Sequence, residues 1–432
     1  VTRIHLMGIG GVGVSALARV YLARGDQVSG CDIKESEALD AIEAAGARVM
    51  LGHDPEHVLS ADWLIYSGAV RAGAAEVEAA RSMGVRVMTR AEALADLFAT
   101  GRSVAVAGSA GKTTITHMLG QVLTAAGWDP TVLVGDGRSS RAGRSEWLVA
   151  EADESDGSLV LHHPTHAIVS NVHFDHPDHF ANVEAVAEVF QRFLAGLSED
   201  GVAVVGADDE LAVRLETPAR RVTYGFAEGS DYRCSEDRPF RLWRRGEELG
   251  RIGLSVPGAH NVQNATAAAA MAMELGVAFD QVRDALASFT GAHRRMEMLG
   301  RWHGATIYDD YAHHPRKVRA ALAAARELPY RRLIAVFQPH RFSRTSGLLD
   351  EFADSFGEAD AVLVTEIYAA GEENPTGVSG SHLAMKMRNA RFTPDFGSVR
   401  EALADLAGNG DLVLFMGAGD IWKLGSELAH EN

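Results

Sequence analysis

The stretch Ala107-Gly108-Ser109-Ala110-Gly111-Lys112-Thr113-Thr114 sets the tightest limit on what this chain can fold into. The apolar run Val104 to Ala107 before it reads as a buried strand, and Ile115 to Ala126 after it reads as a helix. A glycine turn between strand and helix aims backbone N–H groups inward, where phosphate oxygens can sit. Lys112 then reaches β- and γ-phosphates, and the Thr113 hydroxyl can hold Mg²⁺. The spacing is a short G-x-x-G-K-T rather than G-x-x-x-x-G-K-[ST]. It implies ATP or GTP and phosphoryl chemistry. A chance glycine turn with an exposed lysine would leave the order of strand, turn, Lys-Thr and helix unexplained.

Length and charge narrow the partners. A chain of 432 residues holds two or three domains. Its formal net charge of -17 disfavours nucleic acid and anionic membrane surfaces. An anionic nucleotide then needs local cations such as Lys112. Cys31 and Cys234 are the only cysteines, which argues against a disulfide framework, a CxxC pair or a thiolate zinc site. No run of about 18 apolar residues suggests a membrane span. The chain enters an apolar strand without a charged leader, so the cytoplasm is the expected location.

Three blocks follow one another, each of α/β character. The first opens Gly8-Ile9-Gly10-Gly11-Val12-Gly13-Val14-Ser15 after a strand, with a helix from Ser15 to Ala23 and strands at Val28 to Cys31, Trp63 to Ser67 and Val85 to Met88. Alternating strands and helices mean a parallel sheet with crossovers. The turn is compatible with NAD, with a UDP-linked substrate, or with plain helix packing, and Asp32 lies where an acid could meet a ribose.

The second block carries the Lys112 turn. Its strands Trp147 to Ala150 and Ala167 to Ser170 lead into Glu151-Ala152-Asp153-Glu154-Ser155-Asp156 and into Asn171-Val172-His173-Phe174-Asp175-His176-Pro177-Asp178-His179. Ligands in open parallel sheets gather at the carboxyl ends of strands, so both clusters suit a metal–phosphate site. Gly258 to Asn264 opens an alanine-rich helix, where Asn261 and Asn264 read as caps or as purine contacts. In the third block, strands Thr306 to Tyr308, Leu333 to Phe337, Ala361 to Thr365 and Leu412 to Met416 each end in polar or glycine-rich residues, as on the rim of another open sheet.

Six motifs in this order resemble the Mur ligases: Gly8 to Gly13, Gly108 to Thr114, Glu151 to Asp156, His260 to Asn264, Asp309 to Pro315, and Gln338-Pro339-His340-Arg341-Phe342-Ser343-Arg344. The last two lie nearest the L-alanine-adding branch. The resemblance implies three domains: a Rossmann-like UDP-binding domain over 1–98, a central P-loop ATPase with a mostly parallel sheet over 99–296, and a Rossmann-like α/β domain over 297–432 that closes on ATP and brings the amino acid. It implies substrates UDP-N-acetylmuramate, L-alanine and ATP, two Mg²⁺ ions with Mn²⁺ as the substitute, and a monomer or weak homodimer.

Carried over by position, Gly108, Ser109, Ala110, Gly111, Lys112, Thr113 and Thr114 cradle the phosphates, and Thr113, Glu151 and His176 ligate metal. Asn261 and Asn264 face adenine, Asp310 meets the ATP ribose, and Arg295, with Arg294 as the runner-up, reaches the phosphates. Tyr311, His313, His340, Arg341 and Arg344 frame the muramyl carboxylate and L-alanine. Gly10, Gly11, Val12, Gly13 and Ser15 take the UDP pyrophosphate, with Asp32 and Ser67 toward uridine. The chain departs from that branch at Ser109 and Ala110, at His173-Phe174, at the short Val134-Gly135-Asp136-Gly137 segment and at Phe342.

Other readings stay open on the residues alone. A related ligase adding a recycled peptide shares the chemistry. Ala110 and the short loop also suit a nucleotide sensor without catalysis. His173 to His179 superficially matches a dinuclear zinc hydrolase motif, although Asp175 stands where a histidine belongs.

Overall fold

The computed structural model describes residues 1–136, 139–175 and 179–431. Its first sheet contains β1 (Arg3–Met7), β2 (Gln27–Asp32), β3 (Arg48–Leu51), β4 (Trp63–Tyr66) and β5 (Arg86–Thr89), all parallel, in the order β3-β2-β1-β4-β5. From β1 the chain steps outward to β2 and β3, then returns to β4 on the other side. That reversal opens a crevice at the carboxyl ends of β1 and β4, where such sheets bind ligands.

The second sheet holds β6 (Arg102–Ala107), β7 (Thr131–Leu133), β8 (Trp147–Glu151), β9 (His166–Val169), β10 (Val202–Gly206), β11 (Arg220–Gly225), β12 (Tyr232–Cys234), β13 (Phe240–Arg244) and β14 (Glu247–Ile252). Its order is β14-β13-β12-β11-β10-β9-β6-β8-β7. β7 to β12 run parallel with β6, whereas β13 and β14 are added at the edge by antiparallel pairing, β12 with β13 and β13 with β14. β9 and β10 are buried along their whole length, and β6 is buried after Arg102. Their Val/Ala/Ile composition suits a parallel sheet covered on both faces. β6 is an interior strand, third from the β7 edge and flanked by β8 and β9, so the turn after it lies between the ends of its two neighbours.

The third sheet contains β15 (Glu297–Trp302), β16 (Ala305–Asp310), β17 (Leu333–Phe337), β18 (Ala361–Val364), β19 (Ala390–Phe392) and β20 (Leu412–Met416), ordered β15-β16-β20-β17-β18-β19. Only β15 is antiparallel. Alternate residues serve separate apolar cores: Leu333, Ala335 and Phe337 join one, Ile334 and Val336 the other.

Packing divides the chain into two compact units. The first holds 1–173, 183–253 and 264–287, and thus the first two sheets. The second holds 174–182, 254–263 and 288–432.

Two helices begin earlier than expected from sequence. Val12–Ala23 and Lys112–Ala125 start directly after Gly11 and Gly111, which occupy the cap positions. The strand expected at Thr306 to Tyr308 runs through Asp309 and Asp310, so these acids belong to β16 and not to the loop beyond it.

Candidate functional site

The turn after β6 depends on glycine twice. Gly108 and Gly111 have φ of +137° and +91°, a region that favours glycine. A Cβ on Gly108 would collide with Ser170 Oγ, and one on Gly111 would sit 2.6 Å from Asn264 Oδ1. The end of β9 braces the loop. Ser109 N donates to Asn171 O at 3.1 Å, and Ala110 N donates to Asn171 Oδ1 at 2.9 Å. Ser170 Oγ donates to Ala110 O at 2.5 Å, and His173 N donates to Ser109 Oγ at 2.9 Å. Gly108→Ala should therefore cost at least about 2 kcal/mol, from left-handed strain plus overlap. A chemical denaturation midpoint equal to that of the wild type would contradict this.

Lys112 follows at the start of the helix, whose first turn has no side-chain cap. Its ammonium donates to Gly108 O at 2.7 Å and to Glu154 Oε2 at 2.6 Å, with Asp153 at 3.7 Å. Burial works against the lysine's charge, but Glu154, Asp153 and Glu151 outweigh it and hold the ammonium above the usual lysine range. Burial pushes the Glu154 carboxyl up, against the pull of Lys112. Thr113 Oγ1 donates to Glu151 Oε2 at 3.3 Å, and Gly135 N donates to Glu151 Oε1 at 2.6 Å. The hydroxyl and carboxylate form an all-oxygen pair suited to a hard divalent cation. Thr114 is buried on the same helix. His176, expected to help hold a second metal ion, lies outside the described residues.

The glycine turn after β1 lies at the crevice of the first sheet. Gly11 caps the helix Val12–Ala23 without a side-chain hydrogen bond; its carbonyl accepts from Val14 N and Ser15 N, which leaves Val12 and Gly13 as the amides at the helix start. Asp32 braces this turn: Oδ2 accepts from Gly10 N at 3.0 Å and Oδ1 from Ile33 N at 2.7 Å. Ser15 Oγ is turned into its own helix, donating to Val12 O at 3.0 Å. Ser67 sits beside Gly8 at the end of β4.

The second unit gathers a different set. Asp175 accepts from Arg344 Nη2 at 3.1 Å on one oxygen and from Lys317 Nζ at 3.1 Å on the other. Arg344 is buried, and its Nη1 lies 3.4 Å from His340 Nδ1. His313 Nδ1 lies 2.8 Å from Tyr311 O, and its Nε2 faces Lys317 Nζ at 3.5 Å. That pairing fits a neutral ring whose Nδ1–H donates to the carbonyl. Burial, then the charges of Lys317 and Arg344, hold His313 well below the usual imidazole range. Burial, then Arg344 and Arg341, bring His340 down to about 4. Among the described residues, Lys317 and Arg344 are thus two cations beside neutral imidazoles, with Asp175 offsetting one of the two charges. Arg341 adopts φ +70° and approaches Glu372 at 3.8 Å.

Arg294 and Arg295 both lie over the Tyr311 ring, at 4.9 and 5.1 Å, and Arg294 also donates to Asp309 Oδ2 at 2.9 Å and to Gly417 O at 2.6 Å. Asp310 is buried, and its oxygens accept from Met296 N and Ala312 N, both at 2.8 Å. Asn261 Nδ2 donates to Pro257 O at 2.6 Å.

Burial, opposed by Arg294, raises the Asp309 carboxyl to about 6. A raised carboxyl favours the protonated native state. Its stabilising contribution is complete below the unfolded value near 4 and is lost as pH rises through about 6. Relative to Asp309→Asn, wild-type stability should fall by on the order of 3 kcal/mol between pH 4 and pH 7. Parallel pH–stability curves for the two proteins would contradict it.

Sequence reasoning did not single out Glu154, Asn171, Asp175 or Lys317. The signals were present in part: Glu154 and Asp175 lie in acidic clusters at strand ends, and Lys317 is on the turn following His313 and His314. Of the hydrolase-like motif, His173 Nε2 pairs with Asp209 at 3.0 Å and Asp175 is bonded to two cations, whereas His176 and Asp178 lie outside the described residues.

Comparison with known proteins gives a consistent result. Residues 3–102 match the Mur ligase family catalytic domain, 106–272 the Mur ligase middle domain, and 294–419 the Mur ligase glutamate ligase domain. The UDP-N-acetylmuramate–L-alanine ligase of Sorangium cellulosum is 42% identical over 98% of this chain and 94% of its own length. The crystal structure of UDP-N-acetylmuramate-alanine ligase MurC from Thermotoga maritima superposes with a TM-score of 0.82 at 28% identity, covering 99% of this chain and 98% of that one. A murein peptide ligase from Psychrobacter arcticus gives 0.72 at 25% identity, with coverage of 99% and 98%.

Proposed function

This chain belongs to the Mur ligase family, and on that premise we infer that it joins L-alanine to the carboxylate of UDP-N-acetylmuramate, converting ATP to ADP and phosphate, in peptidoglycan precursor synthesis. The full-length likeness to L-alanine ligases carries the reading. The working division is 1–98 for the UDP-sugar, 99–296 for ATP and 297–432 for the amino acid.

In the proposed reaction a muramyl carboxylate oxygen attacks the γ-phosphorus and ADP leaves, giving an acyl phosphate. The amine of L-alanine then attacks the acyl carbon, loses a proton, and expels phosphate. Phosphoryl transfer of this kind needs positioning and charge neutralisation more than covalent help. The loop 108–111, with its Ser109 and Ala110 amides tied to Asn171, shapes the cradle and the helix start at Lys112 supplies backbone donors, while Lys112 turns from Glu154 to the β- and γ-phosphates. Thr113 and Glu151 would hold Mg²⁺, which when bound neutralises and orients the phosphates. A second ion, held with His176, and use of Mn²⁺ belong to the same proposal. Asn264, beside Gly111, and Asn261 serve the nucleotide end, with Arg295 reaching the phosphates and Asp310 keeping the ribose side in shape.

Arg344, Arg341, Tyr311, His313 and His340 are assigned to the carboxylate groups of the two acids. A guanidinium grips a carboxylate in a fork, and neutral imidazoles around it leave the positive field intact. The amides of Val12 and Gly13 at the helix start suit the UDP pyrophosphate, with Gly10, Gly11, Ser15, Asp32 and Ser67 shaping that turn. We place the enzyme in the cytoplasm as a monomer or weak homodimer, without nucleic-acid or membrane partners. No helix among the described residues is long and apolar enough to cross a membrane.

An isotope experiment tests the chemistry. UDP-N-acetylmuramate labelled with ¹⁸O in its carboxylate should pass one label into the released phosphate. Unlabelled phosphate would rule out the acyl phosphate. Supplying the recycled tripeptide in place of L-alanine separates the peptide-ligase alternative, which predicts a larger product.

A further inference from the structure

A buried cluster in the first sheet has no part in the ligase reading. His5 on β1, Cys31 on β2, His57 on the short 3-10 turn Pro55–Val58 and Glu76 on the helix Ala75–Ser82 each offer one ligand atom, all within 4.8 Å of one another. His5, Cys31 and the Glu76 side chain are fully buried. Strand alternation explains the meeting. His5 pairs in register with Ser29 and Met7 with Cys31, so all four side chains leave the same face of the sheet.

Three features indicate more than a packed polar core. Glu76 is a buried carboxylate whose ion-pair partners among the described residues are all imidazoles, His5, His53 and His57, and no lysine or arginine. Buried carboxylates are ordinarily paired with a cation or bound to a metal. The second feature is His5. Its Nδ1 lies 2.9 Å from Ser29 Oγ, and Ser29 Oγ in turn lies 3.5 Å from Ile4 O, which fits an Nδ1–H donor and leaves Nε2 as a bare lone pair. That Nε2 is buried with no hydrogen-bond partner among the described residues and faces Glu76 Oε1 at 3.9 Å. Two acceptors facing each other at this separation are placed as ligands of one ion are. The outer hydrogen bond from Nδ1 is the one that orients metal-binding histidines.

The third feature is the spacing of the remaining atoms. Cys31 Sγ lies 3.4 Å from Glu76 Oε1, and His57 Nδ1 lies 2.7 Å from the same oxygen. Ligand atoms around tetrahedral zinc stand about 3.2–3.8 Å apart, given its bond lengths near 2.0–2.3 Å. The Cys31–Glu76 separation falls in that range and His5–Glu76, at 3.9 Å, just beyond it, while the His57–Glu76 pair would have to spread. His53 Nδ1, 3.2 Å from Cys31 Sγ, is partly exposed and gives the cluster a path to solvent.

We propose that His5, Cys31, His57 and Glu76 bind a divalent transition metal, with Zn²⁺ the ion favoured by this mixed sulfur, nitrogen and oxygen set. Two cysteines far apart in sequence carry no paired-thiolate signal, which is why composition alone spoke against a thiolate site. Here one cysteine is joined by imidazoles and a carboxylate drawn from positions 5 to 76.

The test uses the full chain stripped with a chelator and titrated with Co²⁺. One equivalent should produce a thiolate-to-cobalt charge-transfer band, and Zn²⁺ should displace it. Cys31→Ser should lose the band while keeping its circular dichroism spectrum, and Cys234→Ser should retain it. His57→Asn, altering a partly exposed ligand, should weaken Zn²⁺ affinity by at least about 100-fold. No band in the stripped wild type, a band surviving in Cys31→Ser, or unchanged affinity in His57→Asn would each overturn the assignment. None of these readouts depends on ligase activity.

Discussion

Replacing Lys112 with alanine should lower kcat at least about 1000-fold, the scale on which charge-stabilising groups act in phosphoryl transfer. The ammonium sits at the start of the helix after Gly111, where a triphosphate would meet it. The same change has a structural cost. Glu154 has a side chain only 2% exposed and loses its cation. Breaking one side of a buried pair costs about 3–5 kcal/mol. The informative comparison is therefore Lys112→Ala against Lys112→Ala/Glu154→Gln. The double variant should regain most of the stability, because a neutral amide replaces the stranded carboxylate, and should stay inactive. Turnover near wild type in that stable double variant would remove Lys112 from the chemistry.

Arg344→Ala should reduce kcat/KM by roughly 100-fold or more, the loss expected when a buried charged hydrogen-bond partner of a substrate is removed. Arg344 is 3% exposed, with one nitrogen on Asp175 and another near His340, and its Nε has no partner among the described residues. Two roles predict different kinetics. If the guanidinium grips a substrate carboxylate, Arg344→Ala raises KM for L-alanine or the muramyl substrate far more than Asp175→Asn does. If Arg344 only fixes Asp175, the two variants lose activity together. Unchanged kinetics for both acids in a folded Arg344→Ala protein would place the residue elsewhere.

Local patterns were legible in the sequence wherever one segment carried its own signal. The glycine turns after β1 and β6 announced strand and helix on either side, and the buried runs at Leu333–Phe337 and Leu412–Met416 matched the observed strands. The edge strands were harder to read. β13 and β14 are joined by Arg245-Gly246, and β15 and β16 by His303-Gly304, with positive φ at both residues of each pair. Such pairs form tight hairpin turns, but His-Gly and Arg-Gly are weaker cues than Asn-Gly. β3 is four residues long and only partly buried, so its pattern is faint.

Contacts between distant positions were not legible. The Lys112–Glu154 clamp follows from β6 and β8 lying side by side, and Asp175 meets Arg344 across 169 positions. Some expected contacts became braces for the same loops. Asp32 was expected near uridine, yet both its oxygens hold backbone amides, and Ser15 bonds its own helix. A short polar side chain at a strand end can hold either a ligand or the loop that holds the ligand, and residue type alone does not distinguish them.

The most direct test is phosphate release from Mg-ATP with UDP-N-acetylmuramate, measured with and without L-alanine and against glycine and serine. Steady release that requires both the muramyl substrate and L-alanine is the predicted result. ATP binding without release when both are present would contradict ligation and point to a nucleotide sensor.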